Sequence, residues 1–178
     1  MQRVPFDWKD PLRFDDLLTS EEVMIRDAAR DYAQQRLMPR ILEAHRHEGF
    51  DVEVMREMAG LGFLGATIQG FGCAGISYVG YGLIAREFER VDTSFRSALG
   101  VQTTLSMMPI YLFGSQAQRE RYLPAMARAD LLGCVGLTEP DHGSDPGGMG
   151  SRARKVEGGW RLSGTKTWIT HAPIADLM

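Results

Sequence analysis

The chain has 178 residues, 44% of them hydrophobic, enough for one full core and part of a second. Its formal net charge is −3, lysine and arginine form no run, and no apolar stretch approaches the length of a bilayer span, so composition gives no footprint for nucleic acid or membrane. The opening "MQRVPFDWKDPLRFDD" carries acids and early prolines where a targeting peptide lacks them, which makes a cytoplasmic location the expectation; Cys73 and Cys134, far apart, read as small core residues rather than a disulfide or metal pair.

Thr19 and Glu22 have the spacing of a capping box, and Val23, Ala28, Ala29, Tyr32, Ala33, Leu37, Ile41 and Leu42 follow at helical intervals. This predicts a long amphipathic helix over 19–47, bent at Pro39. A second helix is expected over 51–58, stopped by Gly60 and Gly62, then others over about 77–91, 95–112 and 116–128. From 131 the period changes. "LLGCV" is strand-like, and "RARKV" with "WRLSGTKTWIT" around Glu157-Gly158-Gly159 reads as a hairpin. Helices first and strands afterwards predict the α+β class: an all-α helical domain over 1–130, then the start of a β-sheet domain, barrel- or sandwich-like, over 131–178. Three strand-like segments are too few to close a barrel or sandwich, so the chain reads as part of something longer.

The loop "GLTEPDHGSDPGG", residues 136–148, leaves one strand and precedes two more. No helix pattern follows it, which argues against a phosphate loop of the strand–loop–helix kind. Its many backbone N–H groups and short hydroxyls suit either a cradle for the polar edge of a flat ligand or a long surface turn with caps. "GFGCAG", residues 70–75, satisfies G-x-G-x-x-G, but the next acid, Asp92, follows a helix directly and leads into another; without a second parallel strand the motif reads as a connector. Asp141, His142 and Ser144 have the residue types of a hydrolase triad, yet they are neighbours on one extended loop without a G-x-S-x-G elbow. The histidines His45, His47, His142 and His171 include no H-E-x-x-H, and metal catalysis has no support.

"GLTEPDHGSD" followed by "GTKTWIT" resembles the paired flavin-binding segments of the acyl-CoA dehydrogenase family, whose order of helical then β domain is the same. "GYGLIAREFERVDTSFRSALGVQTTL", "PIYLFGSQAQRERYLP" and "GTKTWITHAPIADL" are most similar to the glutaryl-CoA branch of that family, so the resemblance covers essentially the whole chain. It implies FAD, held extended between the helical and β domains. Val135 and Gly136 would lead into Leu137 and Thr138 at the pyrimidine edge; Gly143 and Ser144 would meet the pyrophosphate or nearby coenzyme A groups; Trp168, Ile169 and Thr170 would line the flavin ring, with Thr170 by N5. Glu139 would fix the loop rather than react, and His142 departs from the small residue usual in the family.

On the substrate side the resemblance implies Arg96 facing a distal carboxylate, with Ser97 and Ser144 also meeting the substrate and Glu89 as a polar partner; Gly100 stands where some of these enzymes carry serine. The family's catalytic base belongs to a C-terminal helical domain, and Glu87, Glu89 and Glu139 do not match its position. The implied activity is FAD-dependent oxidative decarboxylation of glutaryl-CoA to crotonyl-CoA and CO2, as in lysine and tryptophan degradation. A homotetramer would pass the electrons to electron-transfer flavoprotein, and residues 1–178 alone would not turn over. The alternatives are a dehydrogenase for an uncharged short or branched acyl-CoA, without decarboxylation, and a helical interaction module without cofactor.

Overall fold

The Thr19 side chain accepts the Glu22 N–H at 3.2 Å while the Glu22 carboxylate accepts the Thr19 N–H at 3.0 Å, so the expected capping box starts helix α1, Ser20–Tyr32. The computed structural model describes residues 6–8 and 10–178; residues 1–5, on which the targeting argument partly rests, lie outside them. α1 runs through a π-helical segment, Ala33–Leu37, into α2, Met38–Arg46. Proline lacks an N–H, and its ring crowds the carbonyl four residues back. For Pro39 that carbonyl belongs to Gln35, inside the segment where hydrogen bonding widens to i→i+5. The device recurs: α5, Thr93–Gly100, passes through a π-helical segment, Val101–Met107, into α6, Met108–Phe113, and the carbonyl behind Pro109 is that of Leu105.

The other helices have local causes of the same kind. α3 is Glu53–Gly60; α4, Tyr78–Glu89, begins where the Ser77 hydroxyl accepts the Gly80 N–H at 3.0 Å; α7, Gln116–Ala127, begins with a second capping box, Ser115 with Gln118. The antiparallel strands β1, Arg152–Val156, and β2, Gly159–Ser163, pair from Arg152 opposite Ser163 to Val156 opposite Gly159. Gly158, at φ 79°, takes the left-handed corner that a side chain would disfavour. Seven α-helices followed by a two-stranded sheet, among the described residues, make the chain α+β.

Two expectations need correction. The segment 131–135 forms no strand ladder; it makes a single parallel bridge, Gly133 with Leu177. The last strand ends at Ser163, and 164–178 is irregular. Their backbone groups find other partners: Leu132 N–H donates to the Asp176 carboxylate at 2.9 Å, Gly133 N–H to the Gln102 side chain at 2.8 Å and Cys134 N–H to the Leu177 carbonyl at 2.8 Å. The residues before "GFGCAG", "FLGATI", form turns, with Gly65 at φ 63°, so no strand leads into that connector.

The chain divides into two compact units, Met1–Asp51 with Ile76–Arg96, and Val52–Gly75 with Ser97–Met178. In the first, α1 packs on α4, burying Ala29, Tyr32, Leu83, Ile84 and Phe88, with the Tyr32 and Phe88 rings 5.7 Å apart. Burial of each larger side chain stabilises by roughly 1.5–3 kcal/mol. Glu87 is fully buried there, with Arg86 at 2.9 Å, Arg30 at 3.4 Å and Arg90 at 3.7 Å to balance its charge. In the second unit Ile68, Met107, Leu123, Met126 and Ala127 form the core, with Tyr111 and Leu177 packed against it. The change of period at 131 therefore falls inside the second unit. No helix among the described residues is long and apolar enough to cross a membrane, and no group of three or more His, Cys, Asp or Glu among them is placed to hold a metal ion.

Candidate functional site

The first flavin-like stretch runs without regular structure from Cys134 to Thr138 and then turns on itself: Glu139 N–H donates to the His142 carbonyl at 3.0 Å and His142 N–H to the Glu139 carbonyl at 3.1 Å. Pro140 and Asp141 occupy the corner. The turn swings the Glu139 side chain inward, where it is 7% exposed. There it accepts the Gly150 N–H at 2.6 Å, the Ser151 N–H at 3.0 Å and the Lys166 ammonium at 2.9 Å. Hydrogen bonding to Ser151 and then Lys166 outweighs the opposing effect of burial and pulls the Glu139 carboxyl down to about 2. Glu139 ties the loop, the start of β1 and the second stretch together.

That second stretch lies against the first. Thr167 N–H donates to the Thr138 carbonyl at 2.9 Å, and the Lys166 ammonium donates to the Leu137 carbonyl at 2.9 Å. Trp168 follows in a left-handed conformation, φ 57°, with its side chain 90% exposed, and His171 is left-handed at φ 70°. For bulky residues such angles cost roughly 1–3 kcal/mol and concentrate at functional sites. His171 is buried, and its Nδ1 lies 3.1 Å from the Gly133 carbonyl; a carbonyl only accepts, so Nδ1 carries the proton. Burial pushes the imidazole below its ordinary value, against the pull of that carbonyl.

Thus Gly136, Leu137 and Thr138 are brought against Lys166 and Thr167, the residues that lead into Trp168, Ile169 and Thr170, while Gly143 and Ser144 stand further along the loop at an exposed tip. Among the described residues no protein acceptor meets the N–H groups of Leu137, Thr138, Ile169 or Thr170. Val135, Leu137 and Trp168 expose apolar surface next to them. Donors without acceptors beside an uncovered aromatic face suit a flat ligand with a polar edge, so the residues fit a flavin. The hydrolase lookalike does not assemble: among the described residues no hydrogen bond joins the side chains of Asp141, His142 and Ser144, and the His142 Nδ1 lies 3.9 Å from Asp145, which is not one of the three.

Arg96 sits in the opening turns of α5, where Asp92 accepts the Ser94 N–H at 2.8 Å. A cation there opposes the helix dipole. Glu89 offsets it: its carboxylate accepts Arg96 Nε at 2.7 Å and the Thr93 hydroxyl at 2.8 Å, and these bonds, Arg96 first, hold the carboxyl below its ordinary value. Both terminal nitrogens of Arg96 lack a protein acceptor among the described residues, and the side chain is 41% exposed. Ser97 is half-buried, and a Cβ at Gly100 would meet nothing within 4 Å.

Lys166, Ser151, Gln102 and His171 shape this region without having been singled out for it from sequence. No local signal marks them, since Lys166 and Glu139 are 27 residues apart. Because folding depresses the Glu139 carboxyl, its contribution is complete above about pH 4.5 and is lost as the pH falls toward 2. A carboxyl 13C titration is expected to place Glu139 near the bottom of that window; a midpoint near 4.5 would contradict the bonding described.

A family model of the acyl-CoA dehydrogenase N-terminal domain matches residues 19–130, and one of the middle domain matches residues 134–178. Glutaryl-CoA dehydrogenase from Mycobacterium smegmatis, solved in complex with FADH2, is similar with a TM-score of 0.90 at 43% identity, covering 93% of this chain and 43% of that one. An acyl-CoA dehydrogenase of Bacillus subtilis (strain 168) is 33% identical over 161 residues, 90% of this chain and 42% of its own length. The mitochondrial short-chain specific acyl-CoA dehydrogenase of Homo sapiens is 33% identical over 150 residues, 84% and 36%. The chain spans less than half the length of these relatives. Two domain matches in succession, together covering nearly all of residues 19–178, make this chain a member of the acyl-CoA dehydrogenase family.

Proposed function

We propose that these residues bind FAD in a dehydrogenase of acyl-CoA thioesters whose substrate is glutaryl-CoA, converted to crotonyl-CoA and CO2. The observation that carries the cofactor is the Thr167 N–H to Thr138 carbonyl bond, which holds the two flavin-like stretches side by side. FAD supplies the acceptor for the hydrogen lost from the acyl β-carbon. The N–H groups of Leu137 and Thr138, approached through Val135 and Gly136, would serve its pyrimidine edge; Trp168 and Ile169 would cover the ring, with Thr170 by N5; Gly143 and Ser144 would receive the pyrophosphate or coenzyme A groups.

For the acyl group, Arg96 takes the distal carboxylate with Ser97 beside it in sequence, and Glu89 orients the guanidinium. None of Glu87, Glu89 and Glu139 is proposed as the base, since each is already committed to arginine, lysine or N–H donors. Residues 1–130 are assigned to the helical domain and 131–178 to the β domain. A homotetramer that passes electrons to electron-transfer flavoprotein follows from the family resemblance alone.

The complete protein is expected to purify yellow, and its flavin absorbance to bleach on anaerobic addition of glutaryl-CoA, with release of CO2 on turnover. A colourless complete protein that FAD does not reconstitute would overturn the reading. The 33% identity to the human short-chain specific enzyme supports a second reading, an uncharged short acyl-CoA as substrate. Faster turnover of butyryl-CoA than of glutaryl-CoA, without CO2, would promote it.

A further inference from the structure

We propose that Lys166 is a positioning residue for the flavin: its ammonium group clamps the Leu137 carbonyl to the Glu139 carboxylate and so fixes the direction of the peptide whose N–H, that of Thr138, faces the cofactor. The inference rests on the FAD reading given above. An ammonium has three donors and no acceptor. Here they meet the Leu137 carbonyl at 2.9 Å, the Glu139 carboxylate at 2.9 Å and the Met149 sulfur at 3.2 Å. The pair is not a solvated surface bridge of negligible effect, because the two side chains are 22% and 8% exposed.

The path of the lysine stem explains a glycine that the loop conformation alone does not. A Cβ at Gly136 would meet Lys166 Cγ at 3.1 Å, so the stem crosses the bare face of Gly136 on its way to the next carbonyl. Consecutive residues of one stretch then hold consecutive carbonyls of the other: Lys166 takes Leu137 through its side chain, and Thr167 takes Thr138 through its backbone. The Leu137 carbonyl shares its peptide plane with the Thr138 N–H, and the Thr138 carbonyl with the Glu139 N–H that donates to the His142 carbonyl, so with both carbonyls occupied these two planes cannot rotate and the Thr138 N–H stays where a ligand edge would meet it.

Two other sources of this constraint are absent among the described residues. Residues 135–138 belong to no strand ladder, and Gly136 has no hydrogen bond. The clamp is therefore expected to act on the cofactor more than on the fold.

The test uses the complete FAD-loaded protein. Lys166→Met keeps the stem and removes the charge; it is expected to weaken FAD retention about tenfold or more, as loss of a charged hydrogen bond does, and to shift the absorption bands of the flavin that remains. Lys166→Arg is expected to recover most of the retention. Glu139→Gln on top of Lys166→Met should add little, because the two side chains act as one unit. If Lys166→Met does not fold, Glu139→Gln alone serves, with a smaller loss and a similar spectral shift expected. FAD affinity and spectrum indistinguishable from those of the unmutated protein would overturn the role of Lys166 while leaving the FAD reading intact. So would a collapse of the apoprotein's unfolding transition that Lys166→Arg does not rescue, since Lys166 would then be a strut of the fold. An unmutated protein that neither carries nor takes up FAD would overturn both.

Discussion

Replacing Arg96 by Ala or Gln is expected to lower turnover of glutaryl-CoA about tenfold or more, with FAD content unchanged and an uncharged acyl-CoA comparatively unaffected; a charged hydrogen bond is worth roughly 1.5–3 kcal/mol, and about 1.4 kcal/mol is tenfold. The expectation follows from how the guanidinium is held. Glu89 engages Nε at 2.7 Å and leaves the two terminal nitrogens, the ones that match a carboxylate as a fork, without a protein acceptor. Without such a ligand the placement is poor chemistry, a cation in the opening turns of a helix, needing Glu89 and Thr93 to steady it. Steady-state kinetics on glutaryl-CoA and butyryl-CoA, with the flavin content of each variant measured alongside, decide the matter. Equal losses on both substrates would make Arg96 a structural residue. The open space around Gly100 adds a direction: a serine there has room for its hydroxyl, and no backbone shift is required.

Gln102→Leu is expected to give a large loss of stability, about 3 kcal/mol, although the side chains are close in volume. Gln102 is fully buried, and its amide is used at both ends. Nε2 donates to the Met126 carbonyl at 3.1 Å and the Leu131 carbonyl at 2.9 Å, while Oε1 accepts the Gly133 N–H at 2.8 Å. Leucine would strand the Gly133 N–H and the Leu131 carbonyl, at roughly 1–3 kcal/mol each; the Met126 carbonyl keeps the Ala129 N–H. The loss also reaches the candidate site, because the carbonyl of the same residue, Gly133, is held by His171, one residue after Thr170. Denaturant unfolding of the complete protein should show the midpoint lowered with its slope unchanged. A change below about 1 kcal/mol would mean that the region repacks around leucine without difficulty.

These two residues mark what was and was not legible in the sequence. Thr19 with Glu22, Ser77, Ser115 with Gln118 and Gly158 act on backbone within a few residues of themselves, and each left a local pattern that the fold obeys. The two flavin-like stretches were legible for the same reason, being contiguous. The partners that join them were not. Gln102 acts on Gly133 from 31 residues away, His171 on Gly133 from 38 and Asp176 on Leu132 from 44, and no periodicity encodes a polar side chain bonding to a distant irregular backbone. The strand expectation for 164–170 failed because Trp, Ile and Thr favour pleated surfaces, whereas the left-handed Trp168 breaks the alternation.

The π-helical segments ahead of Pro39 and Pro109 carry a consequence for register. A wide turn holds more residues than an α-turn, so each segment works as an insertion absorbed without breaking the rod, and it resets the azimuth of all that follows. Forcing Ala33–Leu37 into an α-ladder at unchanged length would turn α2 by about 100° relative to α1, carrying the Arg40 side away from Asp51, which lies 3.8 Å from it, whereas deleting one residue would restore the ladder and keep the azimuth of α2. The prolines would then sit in an unwidened ladder that lacks their N–H. In these helices the angular phase of the second half is written by the turn before the proline, and the proline supplies only the reason for that turn to exist.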